Sequence, residues 1–266
     1  MTKEFDFTAD DYDNNFTYTK VGRAQRTLVH RFLEKELSIF QQSKVLELNC
    51  GTGEDALWMG QLLNTEEIIA TDVSTRMLDL AKLKNVNHPK ISFQIEDAAN
   101  LSSVIKQKKF DVIFSNFGGL NCLSNPQFKQ LFEELSSMVD RYGSINLVLM
   151  PRFCLWESMY FLTKFKWKDA FRRNTAKAVK AKLSENVEVE TWYYSPRTVK
   201  ALLPESLKMT KISPVGFFIW PSYLNSWAIR FPKIFDKLVV WENKIAGWGF
   251  LSYLSDHYYV KIERNH

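Results

Sequence analysis

Chemistry first shows itself where an apolar run, Val45-Leu-Glu-Leu48, passes through Asn49 and Cys50 into Gly51-Thr-Gly53 and on into Glu54-Asp55-Ala56. Glycine lets the backbone approach a ligand closely, and the helix expected to start there offers unpaired N–H groups. About 20 residues beyond Gly51, a second apolar run, Glu67-Ile-Ile-Ala-Thr-Asp72, ends on a carboxylate placed to bind both hydroxyls of a ribose. Together the turn and the acid predict a nucleoside ligand.

Charge decides which nucleoside. Gly51-Thr-Gly53-Glu-Asp-Ala56 also satisfies the dinucleotide pattern G-x-G-x-x-A, so the spacing alone leaves NAD open. A pyrophosphate on this turn would meet Glu47, Glu54 and Asp55, and bare carboxylates repel phosphate. S-adenosylmethionine presents an ammonium and a sulfonium instead, which turns Glu47 into an attraction.

Four stretches in order, VLELNCGTG, ATDVSTRML, FQIEDAANL and FDVIFSNFG, resemble the successive motifs of class I S-adenosylmethionine-dependent methyltransferases over residues 44–123. The resemblance implies that Leu48, Asn49, Cys50 and Gly51, on the turn closed by Gly53, wrap the methionine part, and that Asp72 holds the ribose. Val73 and Met77 would flank the adenine, with Asp97 and Ala98 at its edge. Asn116 and Phe117 would lie beside the sulfonium, at the floor of the acceptor pocket. Asn49 departs from the family, which often has glycine there; asparagine tolerates unusual backbone angles better than most residues. The N-terminal run Asp10–Tyr18, followed by Gly22-Arg23, resembles the lid helices of small-molecule members, with Tyr18 and Arg23 as candidate contacts. Arg23 suits a methionine carboxylate by its fork geometry, or is a surface arginine on an amphipathic helix.

These residues need a scaffold of strands that end where the chemistry begins. KVLELN, EIIATD, KISFQIED, FDVIFSN and SINLVLMP read as buried strands, with helices between them over 55–63, 75–83 and 126–139. Another helix is expected over 22–37, and VEVETWYYS, LKMTKISPVGFFI and SDHYYVKIER read as later strands. Ser195 caps a short helix that has Pro196 at its first position. The fold class is α/β: a doubly wound, seven-stranded, mostly parallel sheet of the Rossmann-like methyltransferase type with helical, aromatic-rich cap insertions. Residues 1–40 form an N-terminal helical lid, 41–150 the cofactor-binding core, and 151–194 a cap insertion. Residues 195–266 finish the sheet, with a second helical cap at about 220–254 that covers the acceptor side.

Composition narrows the function classes. The chain has 266 residues and a net charge of +5. Cys50, Cys122 and Cys154 are widely spaced, without a CxxC pair or a nearby histidine, so neither a structural metal nor an oxidising compartment is implied. The acidic N-terminus lacks the pattern of a signal peptide, and no uncharged apolar run reaches spanning length, so a cytoplasmic protein without a transmembrane segment is expected. Of His30, His88 and His257, none stands at the end of a core strand, and only His257 merits a test as a proton acceptor. Lys164–Lys182 is strongly basic, with only Asp169 opposing. It reads as a solvated helix face or as a dock for an anionic carrier, membrane surface or nucleic acid. Methyl transfer is an in-line displacement that asks mainly for alignment and water exclusion. A small or amphipathic acceptor, aromatic or lipid-like, is therefore expected. An RNA or other nucleic-acid methyltransferase is an alternative: Ser115-Asn-Phe-Gly-Gly119 is not an N/D-P-P-Y/F motif, which argues only against the branch that carries it. A non-catalytic cofactor-binding protein is a further alternative.

Overall fold

The computed structural model describes residues 3–86, 88–184 and 187–265. Its strands are β1 (Ser43–Leu48), β2 (Thr65–Asp72), β3 (Ile91–Ile95), β4 (Phe110–Ser115), β5 (Val139–Leu149), β6 (Val179–Ser184), β7 (Val187–Thr191), β8 (Leu207–Val215) and β9 (His257–Arg264). Seven of them form one sheet in the order β3-β2-β1-β4-β5-β9-β8. β1 to β5 run parallel, while β9 is antiparallel to both β5 and β8.

The central strands are apolar on both faces because helices cover both. Leu46, Ile113, Ile145 and Leu147 pack with the helix Asn125–Met138, and Val45, Val112 and Phe114 with the helices Lys20–Leu37 and Glu54–Gly60. Each such fully buried side chain contributes about 1.5–3 kcal/mol relative to exposure. Helix starts follow local capping chemistry. Ser74 accepts from the N–H of Met77, Ser195 from that of Thr198, and Thr19 from that of Gly22, so the helix expected from residue 22 begins at Lys20.

One topological fact matters for the site. β9 returns antiparallel, so its first residue stands at the edge where the parallel strands end. Register places His257 opposite Val215, and Tyr258 opposite Leu149, the last residue of β5.

Two segments differ from the sequence reading. Lys164–Lys182 is not one helix; it holds a single turn, Trp167–Ala170, and then β6, which pairs with β7 in a hairpin outside the main sheet. Val179-Lys-Ala-Lys182 alternates with the period of a strand, a signal masked by its lysines. The strand read through LKMTKISPVGFFI stops at Val215, because Gly216 turns the chain at φ +80°. The Glu242 carboxylate then accepts the N–H groups of Gly216, Phe217, Phe218 and Ile219 at 2.5–3.0 Å. The helices Asn225–Arg230 and Pro232–Ile245 pack Ala228 and Phe235 with Val21, Ile219, Trp220 and Leu224. No helix among the described residues is long and apolar enough to cross a membrane.

Candidate active site

The turn after β1 is wound through three left-handed residues, Asn49 (φ +56°), Gly51 (φ +53°) and Gly53 (φ +77°). Asparagine at 49 therefore does the conformational work expected of it. Its side chain also explains a glycine after β4: a Cβ on Gly119 would stand 2.6 Å from the Cβ of Asn49. The turn is tied to β2 by Asp72, whose Oδ2 accepts the Gly51 N–H at 2.8 Å and whose Oδ1 accepts the Ser74 N–H at 2.9 Å. Burial pushes the Asp72 carboxyl up, against these backbone donors.

Behind the turn lies a charge network. Asp55 pairs with the Arg26 guanidinium, lies 2.6 Å from His30 Nε2, and accepts from Asn116 Nδ2 at 2.9 Å. Burial opposes ionisation of Asp55, but Arg26 and His30 outweigh it and hold the carboxyl well below the usual range. Glu54 accepts from Lys84 at 2.8 Å and from the Tyr18 hydroxyl at 2.7 Å. The two acids read as bare from sequence are thus partnered, which corrects the electrostatic case against a pyrophosphate as far as Glu54 and Asp55 carried it. Glu47 carries it instead: its carboxylate is buried, and Oε2 has no hydrogen-bond partner among the described residues. Burial, with Asp55 nearby, pushes its carboxyl well above the ordinary value.

A cavity of about 480 Å³ opens at this edge. Of the residues expected at the site, Asn49, Gly51, Asp72, Val73, Met77, Asn116 and Phe117 line it. Leu48, Cys50 and Ala98 are buried off the wall, Gly53 precedes the first turn of the helix Glu54–Gly60, and Glu47 lies behind the wall. The Asp97 carboxylate accepts the Ala99 N–H at 2.9 Å, away from the cavity wall. Tyr18 and Arg23 are also off the wall; Arg23 is exposed, with its guanidinium 5.6 Å from the centre of the Tyr18 ring. One turn further, Arg26 reaches inward and stands over the Phe117 ring at 5.1 Å.

The N-terminal run roofs the cavity with Phe5, Phe7, Tyr12 and Phe16. Its acids fasten it: Asp6 accepts from Ser74 and Arg76, Asp10 from Arg76, and Asp13 from Thr52 and Lys84. On the opposite side the Phe117 ring, held at φ +43°, meets Phe16 and His257 edge to face at 5.4 and 5.5 Å. His257 lines the cavity with its Nδ1 3.1 Å from Asp256 Oδ2. Arg173 bridges Glu157 (2.7 Å) and Asp256 (3.0 Å), and Arg172 adds a bond to Glu157 at 2.8 Å. Two cations of the basic run are therefore consumed internally, by acids that lie outside it. From the 220–254 segment, Pro221, Ser222 and Tyr223 reach the wall, whereas the helices beyond them do not.

Similarity to known proteins matches this geometry. Residues 45–143 match the family model described as a methyltransferase domain. A malonyl-[acyl-carrier protein] O-methyltransferase of Ilyobacter polytropus is 30% identical over 145 residues, 54% of this chain and 50% of the relative. The chain thus spans about half the length of the curated malonyl-carrier relatives it matches. A demethylmenaquinone methyltransferase of Bacteroides fragilis is 28% identical over 80% of this chain and 82% of its own length. In fold, the chain is similar to a S-adenosylmethionine-dependent methyltransferase from Clostridium acetobutylicum, with a TM-score of 0.61 at 14% identity, covering 98% of this chain and 99% of that one.

Proposed function

We infer that this chain, a member of the class I S-adenosylmethionine-dependent methyltransferases through its domain at residues 45–143, transfers a methyl group from S-adenosylmethionine to a small, amphipathic acceptor. The observation that carries this reading is the buried, unpartnered carboxylate oxygen of Glu47, set beneath a glycine turn whose other acids are already neutralised. An unpaired buried carboxylate is costly, and a ligand ammonium relieves that cost where a phosphate would raise it. The turn also has room, since nothing lies within 4 Å of a Cβ built on Gly51.

In this reading Asp72 binds the ribose, Glu47 attracts the methionine ammonium from behind the wall, and Val73 and Met77 flank the adenine. S-adenosylmethionine supplies an activated methyl. The chain's own residues align the acceptor and keep water out. Asn116 is fixed by Asp55 and in turn accepts the Phe117 N–H at 3.0 Å, which sets the Phe117 ring as the floor of the acceptor space. The aromatic walls suit an apolar body. The relative matched over the larger share of both chains is named for demethylmenaquinone, which supports an amphipathic acceptor. Titration calorimetry is expected to show S-adenosylhomocysteine binding with NAD failing to compete; NAD binding alone would overturn the reading.

In this reading His257, which lines the cavity, takes a proton from an acceptor that must lose one, and Asp256 beside Nδ1 stabilises the imidazolium formed. His257→Asn is therefore expected to lower turnover about 10²–10⁴-fold for an acceptor that must lose a proton, while S-adenosylhomocysteine affinity stays within about twofold. Equal losses in both measurements would assign His257 to packing against Phe117 instead.

A further inference from the structure

The surface beside the acceptor space is unusually apolar. Ile229, Ile234, Val240, Trp241, Trp248 and Phe250 are each more than half exposed. In the neighbouring segment Phe165 is 83% and Trp167 64% exposed. Scattered exposed apolar residues are ordinary, but a concentration of this kind marks a surface that meets something. The two segments adjoin: the Tyr160 and Tyr223 rings lie 5.4 Å apart, and Tyr223 is both exposed and part of the cavity wall.

Charge indicates what covers this surface. The two segments, residues 159–171 and 223–250, carry Lys164, Lys166, Lys168, Arg230, Lys233, Lys237 and Lys244. All seven are exposed. Asp169 and Asp236 are the acids of these segments that are not buried. Asp236 already pairs with Lys20 at 2.9 Å, and the third acid, Glu242, is buried on the backbone turn at 216–219. At about 100° per residue, Ile234, Lys237, Trp241 and Lys244 fall on one flank of the helix Pro232–Ile245, beside the stripe of buried Phe235, Glu242 and Ile245. Tryptophan and aliphatic side chains alternating with lysines are suited to the headgroup boundary of an anionic bilayer, where the rings enter the interface and the cations stay with lipid phosphates.

We propose that this face docks on an anionic membrane surface and holds the acceptor space, through Tyr223, against the bilayer. The inference extends the methyltransferase reading by giving an amphipathic acceptor its source, but the docking itself rests on the surface alone. Cosedimentation is the test, with vesicles of pure phosphatidylglycerol and of pure phosphatidylcholine as probes. The protein is expected to partition onto phosphatidylglycerol, much less onto phosphatidylcholine, and to be released by high salt. Lys237→Glu with Lys244→Glu should reduce partitioning at least about fivefold per residue, and Trp167→Ala with Trp241→Ala should reduce it at unchanged surface charge. Melting temperature and S-adenosylhomocysteine calorimetry on the same samples show that the variants are folded, and they test the cofactor reading independently because partitioning needs no turnover. Absence of binding to either vesicle overturns the proposal. So does sedimentation showing a dimer that the Trp167→Ala, Trp241→Ala protein no longer forms, which would assign the face to a second copy of the chain.

Discussion

Asp72→Ala is expected to lower S-adenosylhomocysteine affinity at least about a hundredfold. The carboxylate lies on the cavity wall at the end of β2, with each oxygen already accepting one backbone N–H, from Gly51 and Ser74. Each oxygen keeps further acceptor capacity for a ribose hydroxyl. Hydrogen bonds to a charged group contribute about 1.5–3 kcal/mol each. Losing two, at about 1.4 kcal/mol per decade of affinity, gives two decades or more. The alanine variant also leaves the Gly51 and Ser74 N–H groups unsatisfied, so the turn that cradles the ligand loosens with it. Asp72→Asn keeps the size and one acceptor oxygen, and should lose less. Calorimetry on a variant that melts like the parent decides the matter, and unchanged affinity would remove Asp72 from the site.

The parts of the site that could be read from the sequence share one property: each is local. The strand-glycine-helix passage at 45–56, the acid closing β2 and the Asn116-Phe117 pair closing β4 are signalled by their immediate neighbours, since a parallel strand ends where its ligand sits. The same holds for the five parallel strands and for the capped helix starting at Pro196. Even Asn49 was readable, because a left-handed backbone position selects among very few residue types.

What could not be read is set by pairing across long separations. His257 looked out of place because it begins a strand, yet an antiparallel return brings the first residue of β9 to the edge where parallel strands finish. Asp55 and Glu54 looked bare because Arg26, His30 and Lys84 are 25–30 residues away in sequence. Arg173 looked like part of a solvated basic face because Asp256 is 83 residues distant. The aromatic stretch after Gly216 was read as a cavity cover. Its helices instead pack on the start of the helix Lys20–Leu37, because Glu242 anchors the preceding turn and directs the chain there.

Arg173→Met is expected to destabilise the protein by about 3–5 kcal/mol, the cost of breaking a buried ion pair from one side. Arg173 is buried and donates to Glu157 Oε2 at 3.1 and 2.7 Å, to Asp256 Oδ1 at 3.0 Å and to the Asp256 carbonyl at 3.0 Å. Methionine fills much of the volume but strips Asp256 of its Arg173 hydrogen bonds and leaves Glu157 with Arg172 alone. For a chain of this size each kcal/mol lowers the melting temperature by about 2–4 °C, so a drop of about 6–20 °C should appear in thermal unfolding. Adding Glu157→Gln and Asp256→Asn to Arg173→Met should restore much of it, because the loss lies in the stranded charges more than in the missing contacts. The cluster also fixes the sign of the acid response. Burial pushes the Glu157 and Asp256 carboxyls up, but their cationic partners prevail and hold both below their ordinary values. The unfolded chain therefore binds more protons, and the stabilisation is complete above the ordinary carboxylate range and lost as pH falls through and below it. The variant lacking all three charges should show a shallower fall in stability on acidification than the parent. A parent-like melting temperature for Arg173→Met would show that the cluster is solvated in solution and that Asp256 does not depend on Arg173 for its place beside His257.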